Sequence, residues 1–539
     1  MNSDDERCSQ EVSYRNLLEY ICSNNGSIHD SLILKEESTD ARGIYAQEDI
    51  AKGSLLVRLP LSVVVSRQDL PLSYQYRNEA RIASAWLRCV TALIIRYAKN
   101  KRTDGIMTDK YIQSLPISYE TLLHESSWPT QEVENYLSGT TIGNMICADR
   151  KSNTLRQRFE QSVKPYLDSN KQLLDIEKND TIEEEMWQKL YTYFETACAC
   201  VSTRGFHLKN DEESATSYSG PFLLPFIDLL NHTSNKGRKC TTLQRRSIEN
   251  SSDNGQSSSA FFMYAERDIQ KGEEILHSYG SLTSGQLMQT FGFIEQSLME
   301  RAANDTFEHD CENITPCILS RDDIIQACMV ISASNIPQEI EDKIKDVADS
   351  GGEEFDVWDL PGNSLADRNT NIVQKSMPEE IMIDFENPLS DEIITLCCSQ
   401  FLPDEVFEEV CETYNDGDAS ETILTTLSSD ILQDYFLGCL VLKSIQRATE
   451  MKLAQYRPVT LKEVGDEATD EEKLKSLLKS CSNNSIHAMY GLTLRLEEKA
   501  CLRQLTRECE KHLNCLGYSE NMEKSIDGDK DRNSKRIKL

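Results

Sequence analysis

The sequence predicts an α+β protein in which a β-rich region carries a large helical insert and is followed by an all-α C-terminal domain. Three observations lead there. Short apolar runs of β type cluster in two places, near 31–65 and again near 222–280. Helical spacing fills the interval of about 80–205 between them. After about 305 the chain turns to acidic, helix-patterned segments.

The elements follow in order. A chain of 539 residues is too long for one core, so two or three domains are expected. Residues 1–30 hold an N-terminal helix, with Val12, Leu17, Leu18 and Ile21 at helical spacing. Residues 31–300 form the β-rich domain. Its first strands are Ser31–Leu34, Gly43–Ala46, Ser54–Leu59 and Ser62–Val65, with Lys52-Gly53 as a turn and Pro60 as a stop. In the insert, Ile82, Leu87, Val90, Leu93 and Ile94 recur at three- and four-residue steps. Trp128-Pro129-Thr130 reads as a helix start, and Glu183–Cys200 as a second amphipathic helix. The polar stretch 207–220 reads as a loop, 222–230 as strand, and the Ser/Asn/Gly-rich 249–259 as a loop without core-forming residues. Phe261–Ala265 and Glu274–Leu276 are strand-like, with Lys271-Gly272 between them. In 305–518, Leu432, Phe436 and Cys439 share one helix face, and Leu492, Leu496 and Ala500 another. An irregular insert, about 349–388, interrupts this half, and 519–539 is a polar, disordered tail. No internal repeat is apparent.

Composition narrows the function classes. With 39% hydrophobic and 27% charged residues, the chain suits a soluble globular protein. No run reaches the roughly 18 apolar residues of a membrane span, and the acidic opening Met1–Glu6 is no secretory signal. The 18 cysteines are scattered among apolar neighbours, as reduced thiols of a cytosolic or nuclear protein would be. Cys198-x-Cys200 and Cys397-Cys398 lack a second ligand pair, so no metal is expected. A net charge of −32 argues against direct nucleic-acid binding and suits a basic protein partner. A monomer in the cytoplasm is expected, with nuclear import the alternative raised by Lys535-Arg536-Ile537-Lys538.

The chemistry gathers in Phe226-Ile227-Asp228-Leu229-Leu230-Asn231-His232 and Glu273-Glu274-Ile275-Leu276-His277-Ser278-Tyr279-Gly280. Two apolar runs, one ending in Asn-His and the other in Tyr-Gly, bring an amide, an imidazole and a phenol to one spot if they lie side by side. A third segment, Ala41-Arg42-Gly43-Ile44, adds a glycine that lets backbone approach a ligand closely.

With Asp49-Ile50-x-x-Gly53, Tyr111-Ile112-x-x-Leu115-Pro116, Trp128, Ser202–Phe206, Arg267-Asp268-Ile269-x-x-Gly272 and Phe291-Gly292-Phe293, these motifs resemble the SET-domain methyltransferases. The match is to the group with a split SET domain that modifies Rubisco and ribosomal proteins. It covers about 30–300, and 305–515 resembles that group's helical substrate-binding domain.

The resemblance implies S-adenosyl-L-methionine as cofactor and a protein-lysine side chain as acceptor, in a ribosomal protein or translation elongation factor. It places Arg42, Gly43 and Ile44 at the cofactor through backbone contacts, with Asn231 and His232 at its amino-acid and adenine parts. Tyr279 becomes the catalytic residue, also bordering the cofactor. Arg204, Asp228 and Phe291 fall to the substrate side. Plain alternatives stand beside these roles: Tyr279 as a strand-end tyrosine, Arg204 as a partner of carbonyls or of Asp228, Phe222 and Phe226 as core. Phe291 stands where the family often has tyrosine, which leaves the number of methyl groups added open; Ser284, where asparagine is common, implies only a small loss in turn rigidity. A histidine acceptor and a non-catalytic interaction protein on the same fold are the competing functions.

Overall fold

The protein is described from a computed structural model, which covers residues 14–38, 41–70, 84–100, 102–103, 106–107, 109–115, 128–177, 181–209, 218–248, 258–308, 311–332, 378–401, 428–429, 431–461, 467–480 and 486–517. The tail 519–539, Pro116, most of the insert 349–388 and the middle of the loops 207–220 and 249–259 lie outside the described residues. The chain divides into two units, one of residues 1–129 and 145–295, the other of 130–144 and 296–539.

In the first unit the N-terminal strands do return to the later ones. A four-stranded antiparallel sheet runs in the order Ser27–Ile28, Leu55–Pro60, Ser258–Ala265, Thr241–Ile248. A three-stranded sheet joins Val65–Ser66, Tyr218–Leu223 and Gly205–Lys209. In Leu55–Pro60 the neighbours Leu56 and Val57 are both buried, as is Leu59, so both faces of this strand meet apolar packing. Against the three-stranded sheet pack the helices Ala85–Lys99 and Glu184–Arg204, the first opened by the Ser84 hydroxyl accepting from the Leu87 N–H at 3.3 Å. Leu93, Ile94, Leu190 and Phe194 are fully buried between these elements, each worth about 1.5–3 kcal/mol on burial.

Two expected strands take another form. Ser62–Val65 is mostly a 3-10 turn, Leu61–Val63, before the two-residue strand Val65–Ser66. The apolar run Phe226–Leu230 is also no strand: Ile227–Leu229 is a 3-10 turn entered through Phe226 at φ +72°, and only Asn231–His232 is extended. A phenylalanine at positive φ costs roughly 1–3 kcal/mol; complete burial of its ring, beside that of Tyr14, holds it there.

An internal repeat does exist. Tyr45-Ala46-x-x-Asp49-Ile50-x-Lys52-Gly53 recurs as Tyr264-Ala265-x-x-Asp268-Ile269-x-Lys271-Gly272. It escaped the sequence reading because its copies are short and far apart. The two copies clasp each other reciprocally. Asp49 Oδ1 accepts from the Lys271 N–H at 2.7 Å, and Asp268 Oδ1 from the Lys52 N–H at 2.8 Å. Ile50 and Ile269 exchange both backbone bonds, at 2.8 and 2.9 Å. The Gly53 N–H reaches the Ala265 carbonyl and the Gly272 N–H the Ala46 carbonyl. Both glycines sit at positive φ, +83° and +85°, which the turn demands of a residue without Cβ. The clasp sets the register beyond it, so that the Ile275 N–H meets the Ile44 carbonyl at 2.7 Å and Tyr45 bridges Glu274.

Among its described residues the second unit is helical apart from one antiparallel pair, Cys317–Ser320 with Glu380–Ile383. That pair modifies the all-α expectation, since the second strand falls in a stretch read as irregular. The helix Ile486–Cys515 forms the spine and buries Leu492, Leu496 and Ala500 as their spacing predicts. Cys439 is buried too, Leu432 partly so, and the Phe436 side chain lies outside the described residues. The spine also buries Arg495, Glu497 and Glu498, and each is compensated, as buried charge requires. Glu497 accepts from Arg301 Nη2 and from the Thr315 N–H, both at 2.9 Å. Glu498 accepts from the Tyr456 hydroxyl at 2.6 Å and the Thr141 N–H at 2.8 Å. Arg495 Nη1 donates to the Ser138 carbonyl at 3.0 Å. The last two contacts explain why 130–144, although inside the helical insert by sequence, belongs to this unit.

Among the described residues all cysteines are free, and no three His, Cys, Asp or Glu groups gather to hold a metal. Among them, too, no helix is long and apolar enough to cross a membrane.

Candidate active site

Asn231–His232 pairs in parallel with Leu276–His277, so the two motifs that end in Asn-His and Tyr-Gly lie side by side. Tyr279 follows directly and is fastened at both ends. Its backbone N–H donates to His232 Nδ1 at 2.9 Å, and its hydroxyl donates to the Leu230 carbonyl at 2.6 Å. Burial pushes the phenol up to about 12, so it stays protonated at neutral pH and keeps its oxygen lone pairs as acceptors.

The imidazole is equally defined. Because Nδ1 accepts, the neutral ring carries its hydrogen on Nε2, which is buried and has no partner among the described residues. Burial holds the His232 pKa below its ordinary value. His277, on the partner strand, is pushed down to about 4 by burial, aided by Lys239, and its Nδ1 lies 2.9 Å from the Thr241 hydroxyl.

Aromatic rings close one side. Phe291 lies 4.7 Å from the Tyr279 ring centroid, and Phe293 lies 6.1 Å from that of His232. Phe291 ends the helix Ser284–Phe291, whose Thr283 cap and Gly292 terminus aim it there. Ser284 is fully buried as the first residue of that helix. Phe222 and Phe226 are buried core residues.

Beneath Tyr279 lies a buried polar group of three. Arg204 Nη1 donates to the Asp228 carbonyl at 3.0 Å and lies 3.7 Å from Asp228 Oδ2. The Tyr111 hydroxyl donates to that same Oδ2 at 2.8 Å. Burial raises the Asp228 pKa, with Arg204 opposing it, and burial raises Tyr111 well above the ordinary phenol value. Asp228 Oδ1 and Arg204 Nε have no partner among the described residues.

The third segment joins this cluster. Asn231 Nδ2 donates to the Arg42 carbonyl and to Glu274 Oε1, both at 2.8 Å. Gly43 makes this possible: a Cβ there would stand 2.6 Å from Glu274 Oε1 and 3.2 Å from Asn231 Nδ2. Ile44 is fully buried behind it. The structure therefore brings Arg42, Gly43, Asn231, His232, Tyr279 and Phe291 into one cluster, with Arg204 and Asp228 packed under it.

Sequence reasoning gave no role to Glu274, Tyr111, Phe293 or the Leu230 carbonyl. Glu274 stands two residues after the second copy of the repeat, the one signal that places it opposite Tyr45. Tyr111 carried no signal for its bond to Asp228.

Comparison with known proteins places the domain and the fold. Residues 41–280 match the family model of the SET domain. N-lysine methyltransferase setd6 of Salmo salar is 23% identical over 293 residues, 53% of this chain and 58% of that protein. SET domain-containing protein 8 of Schizosaccharomyces pombe is 25% identical over 287 residues, 51% of this chain and 56% of that protein. N-lysine methyltransferase SETD6 of Homo sapiens is 23% identical over 258 residues, 47% and 48%. The chain thus spans about half the length of the curated relatives it matches. Among solved structures, the SET domain of LSMT bound to lysine and AdoHcy superposes with a TM-score of 0.58 at 14% identity, covering 94% of this chain and 92% of that one. Rubisco LSMT bound to AdoMet gives 0.55 at 16%, covering 94% and 93%. This chain carries a SET domain over residues 41–280 and has the fold of the LSMT structures.

Proposed function

We propose that this chain is an S-adenosylmethionine-dependent protein-lysine N-methyltransferase acting on a basic, non-histone protein, a ribosomal protein or a translation elongation factor of the cytoplasm. The observation that carries the reading is the double fastening of Tyr279, by Leu230 and His232, beside the close packing of Asn231 on Arg42 and Gly43. The residues suit such a cofactor. Gly43 leaves room for the Glu274–Asn231 contact, and Asn231 Oδ1 and the buried His232 Nε2 hydrogen have no partner among the described residues.

The cofactor supplies a methyl group on sulfonium sulfur, and the rest is positioning by this chain. The Tyr279 oxygen can accept weak hydrogen bonds from polarised C–H groups and orient an amine. Phe291 and Phe293 exclude water from the space beside it. A lysine side chain, with an ordinary pKa of about 10.4, must be neutral to attack; an apolar wall and a nearby cationic sulfonium both lower that value. Arg204, Asp228 and Tyr111 act as a buried support that fixes Leu230 and Tyr279 from below. The net charge of −32 suits a basic partner.

The test is transfer of tritiated methyl from S-adenosylmethionine into an extract of cells lacking this protein. Wild-type protein is expected to label a discrete band, and Tyr279→Phe to weaken or abolish it. Absence of labelling by wild type, or labelling indifferent to the substitution, would overturn the reading.

A further inference from the structure

Resting on the cofactor reading above, we infer that Glu274, together with the side-chain oxygen of Asn231, binds the α-ammonium group of the cofactor's amino-acid part. The two hydrogens of Asn231 Nδ2 are both spent inside the protein, on the Arg42 carbonyl and on Glu274 Oε1, each at 2.8 Å. A carbonyl and a carboxylate can only accept, so the amide has one possible orientation. Nitrogen faces the protein and Oδ1 is left over. Neither Asn231 Oδ1 nor Glu274 Oε2 has a partner among the described residues, and the Asn231 side chain is exposed.

The site therefore presents acceptors and a negative charge where an asparagine alone could present a donor. An ammonium group has three donors and no acceptor, which is the complement. A carboxylate brought to the same spot would be repelled. Gly43 is part of the device, because any Cβ would stand 2.6 Å from Glu274 Oε1 and push the carboxylate away from Asn231. The register that delivers Glu274 comes from the repeat: Glu274 bridges Tyr45, two residues beyond Gly272 of the clasp.

A merely structural Glu274 would orient Asn231 and do nothing more, and ligand selectivity tells the two roles apart. Calorimetric titration of the full-length protein compares S-adenosylhomocysteine with 5′-methylthioadenosine, a thioether nucleoside that lacks the amino-acid part. Glu274→Gln keeps an oxygen for Asn231 Nδ2 and removes the charge. It is expected to weaken S-adenosylhomocysteine binding about tenfold or more, the loss typical of a hydrogen bond to a charged group, and to leave methylthioadenosine affinity unchanged. Glu274→Asp, which keeps the charge, is expected to recover part of the loss. Equal weakening of both ligands, or no weakening of either, would overturn the assignment while leaving the cofactor reading intact. Failure of wild type to bind either nucleoside would overturn both together.

Discussion

Tyr279 and Leu230 are joined by a 2.6 Å hydrogen bond from the phenol to a backbone carbonyl, across the parallel pairing of Asn231–His232 with Leu276–His277. The phenol is thereby aimed before any ligand arrives. Removing it in Tyr279→Phe deletes one hydrogen bond, worth about 1 kcal/mol of stability. Loss of the positioning group is expected to lower methyl transfer by roughly 100-fold. Thermal melting and initial rates on the same preparation check the two effects separately.

The phenol also sets a pH expectation. Because burial pushes Tyr279 up to about 12, it does not ionise below pH 10, so no alkaline fall in rate is expected from it there. The rate should instead climb with pH as the acceptor amine loses its proton. A pH–rate profile that turns down near pH 9 would assign the wrong state to this tyrosine.

On the acid side the histidines dominate. His277, lowered to about 4, and His232, lowered in direction, are neutral in the folded state where the unfolded chain, with histidine near 6.5, binds protons. Their contribution is complete above about pH 6.5 and is lost as the pH falls through their folded values. Urea midpoints taken between pH 7.5 and pH 5 should decline, and His277→Asn should flatten that decline.

Gly43→Ala places a methyl 2.6 Å from Glu274 Oε1 and 3.2 Å from Asn231 Nδ2. Both atoms end flexible side chains that can swing aside, so little stability is lost and the displacement falls on Glu274 and Asn231. Affinity for S-adenosylhomocysteine is expected to drop about tenfold or more, with circular dichroism unchanged.

The clasp between the repeats predicts coupled losses. Asp49→Ala and Asp268→Ala each remove a carboxylate from an amide, the 2.7 and 2.8 Å bonds to Lys271 and Lys52. Each should cost about 1 kcal/mol in urea denaturation. Since both bonds close one clasp, the double variant should deviate from additivity by about 0.5 kcal/mol or more.

Much of this was legible beforehand. The β-type run Ser54–Leu59 and the Lys-Gly turns located the strands, and Asn231, His232, Tyr279 and Gly43 stand together as their motifs imply. What escaped has physical reasons. Short apolar runs such as Ser62–Val65 and Phe226–Leu230 fit strand and turn equally well, and nothing in a phenylalanine announces the positive φ at Phe226. The allegiance of 130–144 to the helical unit rests on Arg495 and Glu498, more than 350 residues away in sequence. The role of Glu274 depended on the register of a clasp visible only once Asp49 was seen to meet Lys271.

The most direct measurement is mass-spectrometric assignment of the methylated residue in a protein labelled by this chain and S-adenosylmethionine. A methyl group on a lysine Nζ, present with wild type and missing with Tyr279→Phe, is the predicted result. A methyl group on histidine, or no modified residue in any extract protein, would contradict it.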